Sequence, residues 1–193
     1  MVDLGCGEGN LIGRLMAETA VSEVLGVDVS IGALDKAEKR LHLDDMSERR
    51  RERVRLIQGA LTYTDERTRG FDIATVIEVI EHVDQERLDV FGRVLFGDAA
   101  PRVVIVTTPN REYNVMFPNL ETGAMRHRDH RFEWTREEFS QWSQAICEHY
   151  GYTVSFTPIG ASEPKTGAPT QMAVFTKADP QSDGPTASVE ATT

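Results

Sequence analysis

Residues 2–15 read VDLGCGEGNLIGRL: a short apolar run holding Asp3, a turn carrying Gly5, Gly7 and Gly9, then apolar residues at helical spacing. A strand that passes through glycines into a helix points the helix's first N–H groups at one spot. It also obliges the next strand to return parallel to the first. The rest of the chain keeps that rule. EVLGVDV (23–29), VRLIQGAL (54–61), FDIATVIEV (71–79) and RVVIVTTP (102–109) read as further strands. SIGALDKAEKRL, with Ser30 as N-cap, and QERLDVFGRVLF read as connecting helices. TREEFSQWSQAICEHYGY predicts a late helix with Phe139, Trp142 and Ile146 on one face and Gly151 at its end. YTVSFTPI and TQMAVFTK close the chain as an antiparallel pair at a sheet edge. The expected class is α/β: a Rossmann-like, mostly parallel seven-stranded sheet with an antiparallel edge.

A length of 193 residues with 40% hydrophobic and 27% charged residues suits one domain, read here as 1–177. The remainder, 178–193, is acidic and nearly free of large apolar side chains, so a disordered tail is expected there. The chain starts almost inside its first strand, which reads as a fold truncated at its N-terminus. No run is long and apolar enough for a membrane span and no leader opens the chain, so the expected location is cytoplasmic. Cys6 and Cys147 match no metal or redox spacing and are expected to be reduced and unpaired. A net charge of -10 argues against broad, nonspecific nucleic-acid binding, though not against a local basic patch.

Two acids sharpen the glycine loop. Asp3 stands just before the turn, where a carboxylate can meet a cationic ligand group such as an α-ammonium. Asp28 ends the second strand, where an acid can accept both ribose hydroxyls. The glycines alone leave a dinucleotide open as the ligand. After the fourth strand, EVIEHV spaces Glu78, Glu81 and His82 so that a helical turn would project all three from one face. Two carboxylates and an imidazole suit magnesium or manganese, but three ligands are too few. The chain has five histidines, and two of them lie in RHRDHR at 126–131. His42 and His149 read as surface residues, so His127 or His130 could complete a metal set. Arg126, Arg128 and Arg131 could bind phosphates beside it, with Asp129 orienting a histidine ring. Phe132 and Trp134 offer stacking faces, with core packing expected for at least one. A second basic run, ERRRERVR (48–55), could extend an RNA track, and a solvated helix end is the favoured reading.

The D-x-G-x-G-x-G stretch resembles the first motif of class I S-adenosylmethionine-dependent methyltransferases. That resemblance implies that Asp3, Gly5, Gly7 and Gly9 surround the methionine part of the cofactor, that Asp28 holds its ribose, and that Ala60 and Leu61 flank the adenine. RHRDHRFEWTREEF, taken with EVIEH and TTPNREYN (107–114), closely resembles the Hen1 family of RNA 3′-terminal 2′-O-methyltransferases, from residue 2 to about 177. It implies Glu78, Glu81, His82 and His130 as ligands of Mg2+ or Mn2+, since the family pattern D-H-x-F-E-W selects His130. It further implies an RNA 3′ end with a free 2′,3′-diol as substrate, with contacts from Asn110, Arg111, Arg126, Arg128 and Arg131. A polynucleotide kinase-phosphatase and ligase repair enzyme is the partner it suggests. The sequence shows neither the N-terminal half of bacterial members nor the RNA-binding domains of plant ones, and position 60 is alanine where many relatives have serine. Two rivals stand beside this reading. One is a small-molecule methyltransferase, which would not need the arginines; the other is an inactive cofactor-binding scaffold of an RNA-repair complex.

Overall fold

A computed structural model of the chain describes residues 1–121 and 123–178. The tail expected over 178–193 lies, apart from Ala178, outside the described residues. Seven strands form one sheet: β1 (Val2–Leu4), β2 (Val24–Asp28), β3 (Val54–Gln58), β4 (Ile73–Ile77), β5 (Val103–Pro109), β6 (Tyr152–Ile159) and β7 (Thr170–Lys177). Their order is β3-β2-β1-β4-β5-β7-β6. β1 to β5 run parallel, and β7 pairs antiparallel with both β5 and β6. The expected mostly parallel sheet with an antiparallel edge is the one observed.

The helices are α1 (Asn10–Leu15), α2 (Ile31–Leu41), the single turn α3 (Glu48–Arg51), α4 (Leu88–Gly92) and α5 (Arg136–Tyr150). Ser30 caps α2 as expected, its hydroxyl accepting the Ala33 N–H at 3.2 Å. Thr135 and Glu138 form a reciprocal capping box on α5, and Gly151 ends that helix in the left-handed region at φ 71°. The main core lies where α4 and α5 meet the sheet. Val104 and Val106 of β5 and Phe175 of β7 pack there with Phe91, Phe96, Phe139 and Ile146.

The single helix expected from QERLDVFGRVLF is built in pieces. A 3-10 turn over Gln85–Arg87 leads into α4, and a π-helical stretch continues from Arg93 to Ala99. Two glycines let α5 come close here: a Cβ on Gly92 would stand 2.9 Å from Ile146, and one on Gly97 would stand 3.1 Å from Tyr150. Phe132 and Trp134 are both buried, at 7% and 8% exposure, so core packing claims the pair and neither offers a face for stacking. The basic run at 48–55 lies at the start of β3, away from the strand ends that carry the site. Three of its arginines are engaged within the protein: Arg51 donates to the Val54 carbonyl, Arg53 to those of Glu18 and Val21, and Arg55 pairs with the Glu23 carboxylate. Cys6 is buried and free, and burial pushes its thiol up to about 12. Among the described residues, no helix is long and apolar enough to cross a membrane.

Candidate active site

The carboxyl ends of the parallel strands all open on one side, where ligands bind in sheets of this topology. Beyond β1, Gly5, Gly7 and Gly9 take φ of 76°, 51° and 76°, a region that side chains rarely enter. Two acids shape this turn. Asp28 Oδ2 accepts the Gly7 N–H at 2.8 Å, and its Oδ1 accepts the Ser30 N–H at 2.8 Å. Asp3 is 3% exposed, and its Oδ1 accepts the Thr75 hydroxyl at 2.7 Å. Burial raises the Asp3 carboxyl to about 6, with the Asp28 charge adding to the rise against the Thr75 hydrogen bond.

A cavity of about 430 Å³ opens over this turn, lined by Gly5 and Asp28 on one side, Ala60 and Leu61 on another, and Glu78 and His82 at the end of β4. Gly5 is the tightest point: a Cβ there would stand 2.5 Å from Val79 Cγ2. Gly5→Ala therefore combines a clash with a left-handed φ. It is expected to cost roughly 1–3 kcal/mol of stability and to narrow the cavity, read by thermal melting and by cofactor titration.

The segment after β4 differs from the helical turn expected for EVIEHV. Glu78 sits in the left-handed region at φ 54°, and a 3-10 turn covers Ile80–His82. The i, i+3, i+4 alignment assumed a helix. Here Glu78 is still tied to the strand: its N–H donates to the Thr107 carbonyl and hydroxyl, both at 3.1 Å, and its Oε1 accepts that hydroxyl at 2.9 Å. Burial raises the Glu78 carboxyl, opposed by the Thr107 hydrogen bond.

Glu81, His82 and His130 converge, each offering one ligand atom within 4.8 Å of the others; Glu78 is outside this group. Glu81 is fully buried; its Oε2 accepts the Thr108 hydroxyl at 3.0 Å, and its Oε1 has no hydrogen-bond partner. Burial pushes its carboxyl up to about 8, with the neighbouring Glu78 charge contributing. His82 Nδ1 lies 3.2 Å from the Asp129 carbonyl oxygen. His130 Nδ1 lies 2.6 Å from Glu133 Oε1. A backbone carbonyl only accepts, so a neutral His82 carries its proton on Nδ1 and keeps the Nε2 lone pair for a ligand. Desolvation lowers the His82 imidazole below its ordinary value, against the hydrogen bond to the Asp129 carbonyl, with His130 and His127 adding to the fall. A buried carboxyl oxygen without a partner beside two imidazoles fits a hard or borderline divalent cation.

The residues expected on RNA divide. Arg128 and Arg131 project outward, 90% and 63% exposed at the side chain, with only long contacts to Asp129 and Asp84. Arg126 is spent inside the protein. Its Nε donates to Asn114 Oδ1 at 2.6 Å, its Nη1 to the Pro169 carbonyl at 2.6 Å and its Nη2 to the Asn110 carbonyl, with Phe117 stacked 5.1 Å away. Asn110 is 1% exposed; its amide donates to the Thr166 and Ala168 carbonyls and its oxygen accepts the Glu112 N–H. Both are struts that join β5 to the loop before β7, which removes them from the expected RNA surface. Arg111 is exposed but paired with both Glu138 oxygens, at 3.2 and 3.0 Å. Asp129, expected to orient a histidine ring, meets His82 through its backbone carbonyl and stands beside His127, its Oδ2 3.6 Å from that ring's Nδ1; Glu133 is the carboxylate on His130. Thr107, Thr108 and Glu133 were missed as site residues. For the threonines the signal was present, since TT ends the strand beside EVIEH.

A family model described as methyltransferase domain matches residues 2–95. The small RNA 2′-O-methyltransferase of Xenopus tropicalis is 37% identical over 186 residues, which is 92% of this chain and 49% of the relative. That of Gallus gallus is 36% identical over 194 residues, 96% of this chain and 50% of the relative, so the chain spans about half the length of these curated relatives. Among solved structures, the methyltransferase domain of bacterial CtHen1-C is 49% identical with a TM-score of 0.84, and the match covers 92% of this chain and 89% of that one. The small RNA methyltransferase HEN1 is 34% identical with a TM-score of 0.84, covering 92% of this chain and 23% of that one. At 49% identity over nearly the whole of both chains, the match to the CtHen1 methyltransferase domain shows the family: the chain belongs to the Hen1 methyltransferase family.

Proposed function

We propose that this chain, its residues 1–177 forming the methyltransferase domain, transfers the methyl group of S-adenosylmethionine to the 2′-hydroxyl of the 3′-terminal nucleotide of RNA. Mg2+ or Mn2+ is held by Glu81, His82 and His130, with Glu78 as the fourth ligand. The observation that carries this reading is the convergence of Glu81, His82 and His130, with His82 and the neighbouring Glu78 also lining the cavity over the glycine turn. The relatives named as small RNA 2′-O-methyltransferases support the choice of substrate.

In this reading the glycine turn brings bare backbone against the donor's methionine part, Asp3 meets its α-ammonium, Asp28 its ribose, and Ala60 and Leu61 its adenine. The bound cation supplies Lewis acidity that makes a ribose hydroxyl a better nucleophile. Thr108 and the Asp129 carbonyl hold Glu81 and His82 in fixed orientations before substrate arrives. Arg128 and Arg131 meet backbone phosphates. The oxygen attacks the methyl carbon in line, the O–C bond forms as the S–C bond breaks, the sulfonium leaves as the neutral thioether S-adenosylhomocysteine, and the hydroxyl proton passes to solvent water. Action alongside a polynucleotide kinase-phosphatase and ligase belongs to the same proposal and rests on family resemblance.

The test is methyl transfer from labelled S-adenosylmethionine to short RNAs ending in a 2′,3′-diol, a 2′-deoxy, a 3′-deoxy or a 3′-phosphate nucleotide, with Mn2+ and with chelator. Transfer confined to the diol and to the metal-containing reaction is expected. Transfer indifferent to both would sink the reading and favour a small-molecule methyltransferase. Cofactor binding without transfer to any RNA would favour the scaffold.

The arginines give an independent check. Arg128→Ala with Arg131→Ala is expected to weaken RNA binding and to flatten the slope of log affinity against log salt by about 1.4, while cofactor affinity is unchanged. Arg126→Ala is expected to lower the melting temperature instead, because it removes three donors from carbonyl and amide oxygens inside the protein.

A further inference from the structure

Glu133 sits between two core aromatics, and its side chain has no solvent exposure. A carboxylate enclosed this way costs several kcal/mol unless its oxygens are well partnered. Oε1 accepts the Arg126 backbone N–H at 2.7 Å and lies 2.6 Å from His130 Nδ1. Oε2 accepts the Asn114 amide at 2.5 Å. The His130 ring is itself held tightly, at 9% side-chain exposure. An ionised carboxylate only accepts hydrogen bonds, so a neutral ring beside it must carry its proton on Nδ1.

We propose that Glu133 is a positioning residue. It fixes His130 as the Nδ1–H tautomer, so that Nε2 is presented to the site shared with Glu81 and His82. Through the Arg126 amide and Asn114 it also anchors that ring to the 111–126 segment beside which Arg128 and Arg131 emerge. The inference rests on the cation site of the proposed function. A carbonyl such as that of Asp129, which holds His82, orients a ring; a carboxylate orients it and also makes Nε2 a stronger donor. The two histidines are therefore unequal, and His130 is the one whose ligand strength depends on a partner that can be mutated.

The experiment uses the full chain with 15N-labelled histidine, and with Glu133→Gln beside the wild type. Gln keeps the volume, removes the charge, and can turn either its oxygen or its NH2 toward Nδ1. In the metal-free wild type at a pH above imidazole's ordinary pKa, long-range 1H–15N spectra should show His130 protonated on Nδ1 alone. E133Q should show both tautomers. Calorimetric titration with Mn2+ should give about 10–100-fold weaker binding in E133Q, while S-adenosylmethionine binding, which shares none of Glu133's contacts, stays at the wild-type value. A wild-type ring protonated on Nε2 overturns the proposal with no variant needed, so a misfolded E133Q cannot shelter it. An E133Q chain that binds cofactor normally and keeps both its His130 tautomer and its Mn2+ affinity overturns it as well. If the wild type binds no Mn2+ at all, the cation reading fails, and the tautomer spectra alone decide the role of Glu133.

Discussion

Glu81→Gln should reduce methyl transfer by roughly three orders of magnitude, about 4 kcal/mol of barrier, while leaving the fold intact or firmer. The two halves of that statement come from one fact. Glu81 is fully buried, with one oxygen on Thr108 and the other on nothing. Burial lifts its carboxyl to about 8, so the metal-free protein at pH 7 mostly holds it protonated, and glutamine closely matches that species in shape and charge. Gln can keep the Thr108 hydroxyl as a partner, yet it cannot supply the negative charge that a divalent cation needs beside two neutral imidazoles. Three measurements on one preparation separate the explanations. The expected pattern is an unchanged or raised melting temperature without metal, unchanged S-adenosylmethionine affinity, and loss of both Mn2+ binding and transfer. Near-normal transfer in a folded E81Q chain would mean that the unpartnered oxygen is a packing accident and that the reaction needs no cation at this position.

The sheet was readable because each strand announces itself as a short apolar run between helical stretches, and the order of runs leaves few topologies open. That Gly5, Asp28, Ala60 and Leu61 would line one cavity was readable for a related reason. Each stands immediately at or after a strand's carboxyl end, and in a parallel sheet all those ends open on one cavity. The failures cluster where the deciding partner is far away in sequence. Arg126 reads as a phosphate ligand in RHRDHR, and only the folded chain brings the Pro169 and Asn110 carbonyls onto its guanidinium. Asn110 is drawn inward by the same loop. At Glu78 it is the expected helical turn that fails: a residue in the left-handed region and still bonded to β5 is not helical, so helical spacing carries no direction there. Glu133 lies inside FEW, where flanking aromatics advertise core; nothing local says that a carboxylate buried with them faces a histidine.

Asp3→Asn is expected to stabilise the cofactor-free protein and at the same time to weaken S-adenosylmethionine binding by about 10–100-fold, the worth of a hydrogen bond to a charged group. Asp3 is 3% exposed, and burial raises its carboxyl from the usual carboxylate range to about 6, with the Asp28 charge adding to it. The sign follows from linkage. A raised folded-state pKa means that the folded chain holds the proton more tightly than the unfolded chain does. Its stabilising contribution is complete below about pH 4 and is lost as pH rises through 6, so above that the ionised group burdens the fold by roughly 3 kcal/mol. Asparagine removes the charge and still accepts the Thr75 hydroxyl, so the variant should melt higher at pH 7.5 and show no gain near pH 4. In the proposed binding mode the cofactor reverses the balance, because an α-ammonium beside Asp3 would offset the buried charge. Wild-type affinity should therefore fall as pH drops below 6, whereas D3N affinity should be weak and flat across that range. Melting curves at pH 4, 6 and 7.5 and cofactor titrations at pH 6 and 7.5 distinguish the two possible roles of this acid. A D3N chain that melts higher but binds cofactor like the wild type would assign Asp3 to its hydrogen bond with Thr75 alone. The donor's ammonium would then have to be met by some other group in the glycine turn.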